Sequence, residues 1–245
     1  MRIFRKCFSD FGEFICLTGT ILTVGFLTAI LVAEATAADG QVPFYGFVYA
    51  EEIVPDLQVD LRYSGTHNFT GGVVDGYRAP RLIMSQACAE SLVPVQEELL
   101  ALGLSLKIFD AYRPQEAVNH FARWAADLNE TATKPQYYPH VDKDRLFEDG
   151  YIAERSGHSR GSSVDLTIVN ASFPHQELDM GTPFDFFDPI SGEVTKGLTP
   201  QQKANRLLLR SLMVKNGFKP YKHEWWHFTL VNEPFPNTYF NFPVE

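Results

Sequence analysis

Cysteine is scarce in this chain, and its scarcity excludes a disulfide-stabilised fold. Three cysteines occur among 245 residues, and two of them, Cys7 and Cys16, fall in an N-terminal segment that we expect to be removed. Cys88 would then have no intramolecular partner, so a hydrophobic core must supply the stability. The composition allows this, because 45% of the residues are hydrophobic. Cys88 is expected to be a small buried side chain rather than a nucleophile.

A surplus of positive charge is also absent. The formal net charge is −9 at pH 7, which disfavours binding to nucleic acid or to anionic lipid. Any anionic group of a substrate must therefore be met by a local arginine or by a metal ion. The sequence also lacks internal repeats, low-complexity tracts and a clear interdomain linker, so its folded part is predicted to form one domain.

Long apolar runs are missing except near the N-terminus. Arg2, Arg5 and Lys6 precede an uncharged apolar stretch over residues 14–32, and Ala-Thr-Ala follows at residues 35–37. This order is typical of a secretory signal peptide with its cleavage site. We expect residues 1–37 to be removed and residues 38–245 to be exported, periplasmic or secreted, with no stable membrane association. The alternative is an uncleaved anchor, because the apolar run is nearly long enough to span a bilayer.

The spacing of apolar residues predicts helices interspersed with short strands. Strands are expected at residues 57–63, 105–112, 164–168 and 218–231, and helices at residues 85–103, 114–129 and 199–217. The last helix carries a capping-box pair, Thr199 and Gln202. This pattern favours the α+β class, with helices packed on a central antiparallel sheet.

The stretch SGHSRGSSVDLTI, residues 156–168, joins a loop of small residues that carries His158 to a β-branched run that carries Asp165. An imidazole and a carboxylate are common ligands of catalytic zinc. The two residues are an odd number of positions apart, which would point their side chains to opposite faces of one regular strand. We therefore expect His158 to lie in the loop and Asp165 on the strand. Taken alone, the pair is a weak indication of a metal site.

A second candidate group lies in KHEWWHFTL, residues 222–230, which contains Glu224 and His227. His227 would add a third ligand, and three protein ligands with one open position suit hydrolytic zinc. Glu224 is out of phase with His227 on an ideal strand, so we expect it just before the strand or at a bulge, where it can act as general base and then acid. The alternative is an edge-strand aromatic cluster with charged tips and no catalytic role.

Arg113 follows a predicted strand and directly precedes Pro114, which suits the first turn of a helix. Side chains at such a junction often face a cleft. In an acidic protein, its guanidinium could stabilise a substrate oxygen that gains negative charge when the carbonyl is attacked. The alternative is a structural arginine that pairs with Asp110 or caps a carbonyl, and the pattern alone does not decide between the two.

Five separated stretches resemble one family, the VanX-type D-alanyl-D-alanine dipeptidases. SGHSRGSSVDLTI is similar to the family signature Ser-x-His-x-x-Gly-x-x-x-Asp, EWWH to its Glu-x-x-His motif, and DAYRP to the segment that carries its arginine. NFTGGVVDGY, residues 68–77, and MGTPFDFFD, residues 180–188, also resemble it. The matches are in the family's chain order and cover most of residues 50–231.

The resemblance implies a small α+β domain that holds one zinc ion per chain. It implies His158, Asp165 and His227 as the zinc ligands. It also implies Glu224 as general base and acid, and Arg113 as the group that holds the substrate carbonyl and its oxyanion.

For substrate binding, the resemblance implies that Asp185 receives the free ammonium group of a small D,D-dipeptide. Ser156 and Tyr63 are expected to line the pocket. Gly157 stands where some members have a second serine, which leaves the contacts to the substrate carboxylate open.

The expected reaction is zinc-dependent hydrolysis of D-alanyl-D-alanine, in cell-wall peptide turnover or in glycopeptide resistance. The export signal shifts the expectation towards wall turnover, because the resistance dipeptidases act inside the cell. One alternative is a zinc D,D-carboxypeptidase or endopeptidase that acts on peptidoglycan, which an open cleft around residues 170–198 would favour. Another is a non-catalytic, zinc-stabilised wall-binding module, which would tolerate the loss of Glu224.

Overall fold

The computed structural model describes residue 42 and residues 44–245. The predicted signal peptide, residues 1–37, lies outside these residues and stays a prediction, as does the start of the mature domain at residue 38. Within the described range, every helix is too short or too polar to cross a membrane.

The described chain alternates short strands with four α-helices. The strands are β1 Phe47–Tyr49, β2 Gln58–Val59, β3 Ile83–Ser85, β4 Leu104–Asp110, β5 Ser163–Asn170, β6 Phe218–Tyr221 and β7 Glu224–Leu230. The helices are α1 Gln86–Leu100, α2 Gln115–Ala126, α3 Lys134–Tyr137 and α4 Pro200–Lys215. Single 3-10 turns lie between several of these elements.

A five-stranded sheet organises the molecule, in the order β2-β4-β5-β7-β6. The pairs β4–β5, β5–β7 and β6–β7 are antiparallel, whereas the edge strand β2 pairs with β4 in parallel. A separate antiparallel pair joins β1 to β3. The predicted α+β class is therefore confirmed, and the central sheet is antiparallel apart from its short β2 edge.

The helices form where caps and amphipathic patterns predict them. The Ser85 hydroxyl accepts a hydrogen bond from the Cys88 amide and starts α1, and the Thr199–Gln202 capping box starts α4. Both helices pack on the sheet and touch each other. The apolar face of α2 instead packs on the loop before β3, where the Phe121 ring lies 4.7 Å from that of Phe69. This second cluster forms one side of the cavity described below.

Two predicted strands differ from the observed ones. The strand expected at residues 57–63 shrinks to β2, because the Asn68 side-chain amide donates to the carbonyl oxygens of Arg62, Gly65 and Gly72 and gathers the chain into a loop. The strand expected at residues 218–231 is a hairpin of β6 and β7. Its turn contains no glycine or asparagine, so the usual sequence signal of a tight hairpin is missing.

Candidate active site

Three polar side chains form a row across the middle of the sheet. Asp110 at the end of β4 pairs in register with Asp165 on β5, and Asp165 pairs with His227 on β7. Directly opposed residues on neighbouring strands bring their side chains into contact. A register shift between Ile108 and Asp110 accompanies this row, as is common where a sheet re-aims a side chain. Antiparallel pairing thus joins residues that are far apart in the chain.

His158 reaches this row from a 3-10 turn, Gly157–Arg160, just before β5. The turn ends at Gly161, whose φ of +79° is in the left-handed region. A Cβ at this position would lie 2.3 Å from the Phe47 ring, so glycine is required by both backbone and packing. The loop and the strand therefore deliver His158 and Asp165 separately, as the odd spacing predicts.

The ligand atoms of His158, Asp165 and His227 lie within 4.8 Å of one another. His158 Nε2 is 3.2 Å from Asp165 Oδ2 and 3.1 Å from His227 Nδ1. His158 Nδ1 is 2.7 Å from the Ala111 carbonyl oxygen, which can only accept, so a neutral ring carries its proton on Nδ1 and presents a lone pair on Nε2. His227 Nε2 faces the Thr229 hydroxyl at 3.4 Å, which leaves Nδ1 to point at the group.

The chemistry of this group fits a metal cation. Asp165 Oδ1 is buried and lies 3.0 Å from His227 Nδ1, at an angle that makes no hydrogen bond. Burial alone would raise the pKa of Asp165, but His158 and His227 outweigh it and hold that pKa below its usual range. Burial lowers the pKa of His227, which favours the neutral imidazole that can donate an electron pair. Two imidazoles and one carboxylate are a ligand set that zinc accepts.

Glu224 lies beside the candidate metal ligands His158, Asp165 and His227 without belonging to that group. It opens β7, and a register shift at Pro220 and Tyr221 precedes it in the hairpin. Its Oε2 is 3.9 Å from His227 Nδ1. Burial raises the pKa of Glu224 well above its usual range, and the negative charges of Asp165 and Asp185 raise it further. A carboxyl group in this environment can both take and release a proton.

Arg113 has features of both interpretations of the sequence, the structural arginine and the substrate-binding one. Its guanidinium donates to Asp110 Oδ2 at 2.8 Å and to Asp165 Oδ2 at 3.3 Å, and it lies over the Tyr63 ring at 4.9 Å. The structural pair with Asp110 is present, yet the same side chain lines the cavity that contains the metal-ligand group. Asp110 also accepts a 2.5 Å hydrogen bond from the Tyr77 hydroxyl. Asp110 and Tyr77 therefore orient the guanidinium towards the cavity.

Asp185 faces the same cavity from the irregular segment before α4. Its Oδ2 accepts a 2.9 Å hydrogen bond from the Tyr63 hydroxyl, and its φ of +60° is unusual for a residue other than glycine. Burial raises the pKa of Asp185 well above its usual range, and the charge of Asp165 adds to the effect. A buried carboxyl group with one hydroxyl partner is suited to bind a cationic group.

The cavity has a volume of about 290 Å³, at the lower end of the range of roughly 300–1,000 Å³ typical of small-molecule sites. The eight residues singled out from the sequence all line it: Tyr63, Arg113, Ser156, His158, Asp165, Asp185, Glu224 and His227. Ser156 also accepts a hydrogen bond from the His158 amide and so caps the turn that carries that histidine. Their chemical roles stay predictions at this point.

Sequence reasoning missed two groups that support the site. It treated Asp110 only as a structural partner, although the spacing Asp-x-x-Arg at a strand end is a signal for an oriented guanidinium. It assigned no role to Thr229, which shares a strand face with His227 and links His227 Nε2 to the Ser163 hydroxyl. Partners of this kind orient metal-binding histidines.

Comparison with known proteins gives consistent matches. Residues 44–245 match the Peptidase_M15 family, described as D-ala-D-ala dipeptidase. The D-alanyl-D-alanine dipeptidase of Enterococcus faecium is 42% identical over 200 residues, which are 82% of this chain and 98% of the relative. The dipeptidase of Streptomyces coelicolor is 41% identical over 198 residues, with 81% and 98% covered. That of Escherichia coli is 34% identical over 178 residues, with 73% and 81% covered.

Proposed function

Because the chain belongs to the Peptidase_M15 family of D-Ala-D-Ala dipeptidases, we propose that it hydrolyses D-alanyl-D-alanine to two molecules of D-alanine. Membership makes it a metallopeptidase, and the ion we propose is zinc, held by His158, Asp165 and His227. The observation that carries the proposal is the convergence of this ligand group, Glu224 and Asp185 on one cavity of about 290 Å³.

The bound ion would act as a Lewis acid, lowering the pKa of a water molecule and polarising the peptide carbonyl. Glu224 takes the proton of the attacking water on its carboxylate and later gives it to the departing amine. Its raised pKa suits this double task, because a group that must both accept and donate a proton works best when its pKa lies near the operating pH. Its neighbours Tyr221 and Trp226 help to enclose it in the cavity wall.

Arg113 holds the carbonyl oxygen of the scissile bond. Negative charge develops on that oxygen during attack, and a preoriented guanidinium stabilises the charge without further rearrangement. The hydrogen bond to Asp110 fixes the guanidinium before substrate arrives. Asp185 binds the free ammonium group of the dipeptide by a charge-assisted hydrogen bond, with the Tyr63 hydroxyl orienting its carboxylate.

The residues that line the cavity support a dipeptide substrate over the polymer-directed alternative. The segment over residues 170–198, which discriminates between them, supplies Asp185 and Phe187 to the cavity wall. A substrate whose free amino end contacts Asp185 cannot be extended on that side, since a peptide that continues in the N-terminal direction has no ammonium group there. A glutamate beside the candidate metal ligands supports a hydrolase over a wall-binding module, which has no use for an acid–base group there.

Replacement of Glu224 by glutamine tests the function. We expect equal zinc content and a loss of turnover on D-Ala-D-Ala of about 10²–10⁴-fold, the usual contribution of general acid–base catalysis. Glu177→Gln is the matched control, since Glu177 is a surface residue paired with Lys107. Full turnover by Glu224→Gln would refute its role as the acid–base group, and a parallel loss of zinc would mean that Glu224 is itself a ligand. Bound zinc without turnover in the wild type would support the non-catalytic module.

We propose further that the mature enzyme works outside the cytoplasm, on dipeptides released during cell-wall turnover. The basic start, apolar run and Ala-Thr-Ala site of residues 1–37 support this. Cell fractionation with sequencing of the mature N-terminus tests it: processing after residue 37 and an exported product are expected. Retention of activity in the cytoplasm with an unprocessed N-terminus would instead favour the resistance role.

A further inference from the structure

The carboxylate end of the proposed substrate also needs a partner. This inference rests on the proposed function, in which a free dipeptide carries an ammonium group at one end and a carboxylate at the other. Asp185 accounts for the ammonium group. The protein carries a net charge of −9, so its overall field does not attract a carboxylate, and a local cation must bind it.

The cavity contains three arginines, and two of them are already paired with carboxylates. Arg113 binds Asp110 and Asp165. Arg160 makes a bidentate pair with Glu233, with distances of 2.7 and 2.9 Å. A guanidinium held in this way has little capacity left for a further carboxylate.

Arg155 is different, because it makes no ion pair with any residue between 44 and 245. It lines the cavity next to Ser156 and His158, and its side chain is exposed. Its guanidinium lies over the Tyr239 ring at 5.1 Å. Stacking of this kind holds the planar group by its face and leaves its N–H edge free to bind two oxygen atoms.

Arg155 lies at the edge of the cavity. It also borders an adjoining polar groove formed with Gln115, Glu154, Asn237 and Tyr239. The neighbouring Gly157 has no side chain to offer, and a Cβ there would lie 2.5 Å from the Ser163 hydroxyl oxygen. On this part of the wall, Arg155 is therefore the side chain with free positive charge.

We propose that Arg155 binds the C-terminal carboxylate of the dipeptide and makes the enzyme prefer substrates with a free C-terminus. Asp185 and Arg155 come from different segments that line one cavity. Together they match the two opposite charges of a zwitterionic dipeptide. Recognition of both ends also explains how a small site can select a substrate whose side chains are only methyl groups.

The test combines a change in the protein with a change in the substrate. Wild type, Arg155→Gln and Arg155→Lys are assayed on D-Ala-D-Ala and on D-Ala-D-Ala amide, which lacks the carboxylate charge. Arg78→Gln is the matched control, because Arg78 is an exposed arginine paired with Glu245 at the surface. Arg155 is itself exposed, so its replacement is not expected to disturb folding.

We expect Arg155→Gln to lower kcat/KM for D-Ala-D-Ala about tenfold, mainly through KM, as for a charge-assisted contact near solvent. Wild type should lose a similar factor on the amide, while Arg155→Gln should show little further loss on it. Arg155→Lys should lose less than Arg155→Gln, because it keeps the charge but not the stacked, two-point contact, and Arg78→Gln should retain all of the activity. Equal losses of Arg155→Gln on both substrates, or no loss on either, would overturn the proposal.

Failure of the inference can be told apart from failure of the proposed function. If wild type cleaves D-Ala-D-Ala but Arg155→Gln shows no dependence on the carboxylate, only the inference is wrong. If wild type cleaves neither substrate, the proposed function is wrong. Equilibrium binding of D-Ala-D-Ala to Glu224→Gln, with and without Arg155→Gln, then decides on Arg155 without turnover: a tenfold weaker Kd supports its role, and an unchanged Kd refutes it.

Discussion

Replacing Arg206 by methionine should weaken both the fold and the binding of substrate. Arg206 lies on α4 and donates to three backbone carbonyl oxygens, those of Met180, Ile190 and Gly192, at 2.6, 3.0 and 3.0 Å. These residues flank Asp185 along the chain. One buried guanidinium therefore holds the segment that carries the proposed ammonium site.

The size of the effect follows from two opposing contributions. Each hydrogen bond to a charged group contributes about 1.5–3 kcal/mol, so the gross loss is large. Removal of a poorly solvated charge offsets part of it, since burial lowers the pKa of Arg206 to about 10. We expect the free energy of unfolding to fall by about 2–4 kcal/mol. For a domain of this size the melting temperature should drop by roughly 4–16 °C.

Urea unfolding of the zinc-loaded protein measures the stability, and steady-state kinetics on D-Ala-D-Ala measure the site. KM should rise more than kcat falls, because the loosened segment carries a binding residue and not the acid–base group. Arg210→Met is the control. Arg210 lies one turn further along α4, and its ion pair among residues 44–245 is with Glu193 near the surface, so the substitution should lower the free energy of unfolding by less than about 1 kcal/mol. Equal stability losses in the two variants, or an unchanged KM for Arg206→Met, would refute this reasoning.

Three further outcomes are expected. Asp185→Asn should lower kcat/KM for D-Ala-D-Ala by about 100-fold but leave the slow cleavage of N-acetyl-D-Ala-D-Ala almost unchanged; equal losses would contradict the ammonium contact. Thr229→Val should weaken zinc binding by about tenfold in a chelator competition assay, and unchanged affinity would show that the Thr229 hydroxyl does not orient His227. Cys88 is fully buried and burial raises the pKa of its thiol, so a thiol reagent should modify it only after unfolding; rapid labelling of the native protein would contradict that placement.

The sequence predicted best those features that depend on neighbours along the chain. The helix started by Thr199 and Gln202 forms where its capping box indicates, because both bonds of the box lie within one turn. The helix after Pro114 likewise begins at the next residue. Pro94 stays inside α1, so tertiary packing of the helix outweighs the missing amide bond.

Features that depend on distant pairing were beyond such reasoning. The register that aligns Asp110, Asp165 and His227 arises from three strands separated by long connections, and no local pattern specifies it. The free guanidinium of Arg155 is visible only once Arg113 and Arg160 are seen to be paired. The eight proposed site residues were found from the sequence because their motifs resemble a known family, and spacing alone gave only weak indications.

The buried charges of the site explain why a free dipeptide suits it. Asp165, Asp185 and Glu224 line the cavity, Asp110 lies beside it, and the guanidinium of Arg113 pairs with Asp110 and Asp165. When all are ionised, three negative charges remain, and a buried charge without a partner is costly. A dication and one substrate ammonium group together supply three positive charges. Without the dication and the ammonium group, bound protons must neutralise the carboxylates, which agrees with the raised pKa values of Asp185 and Glu224. An N-blocked peptide would leave one carboxylate uncompensated or protonated, so selection for a free amino terminus arises from the charge balance of the whole cavity as well as from the contact with Asp185.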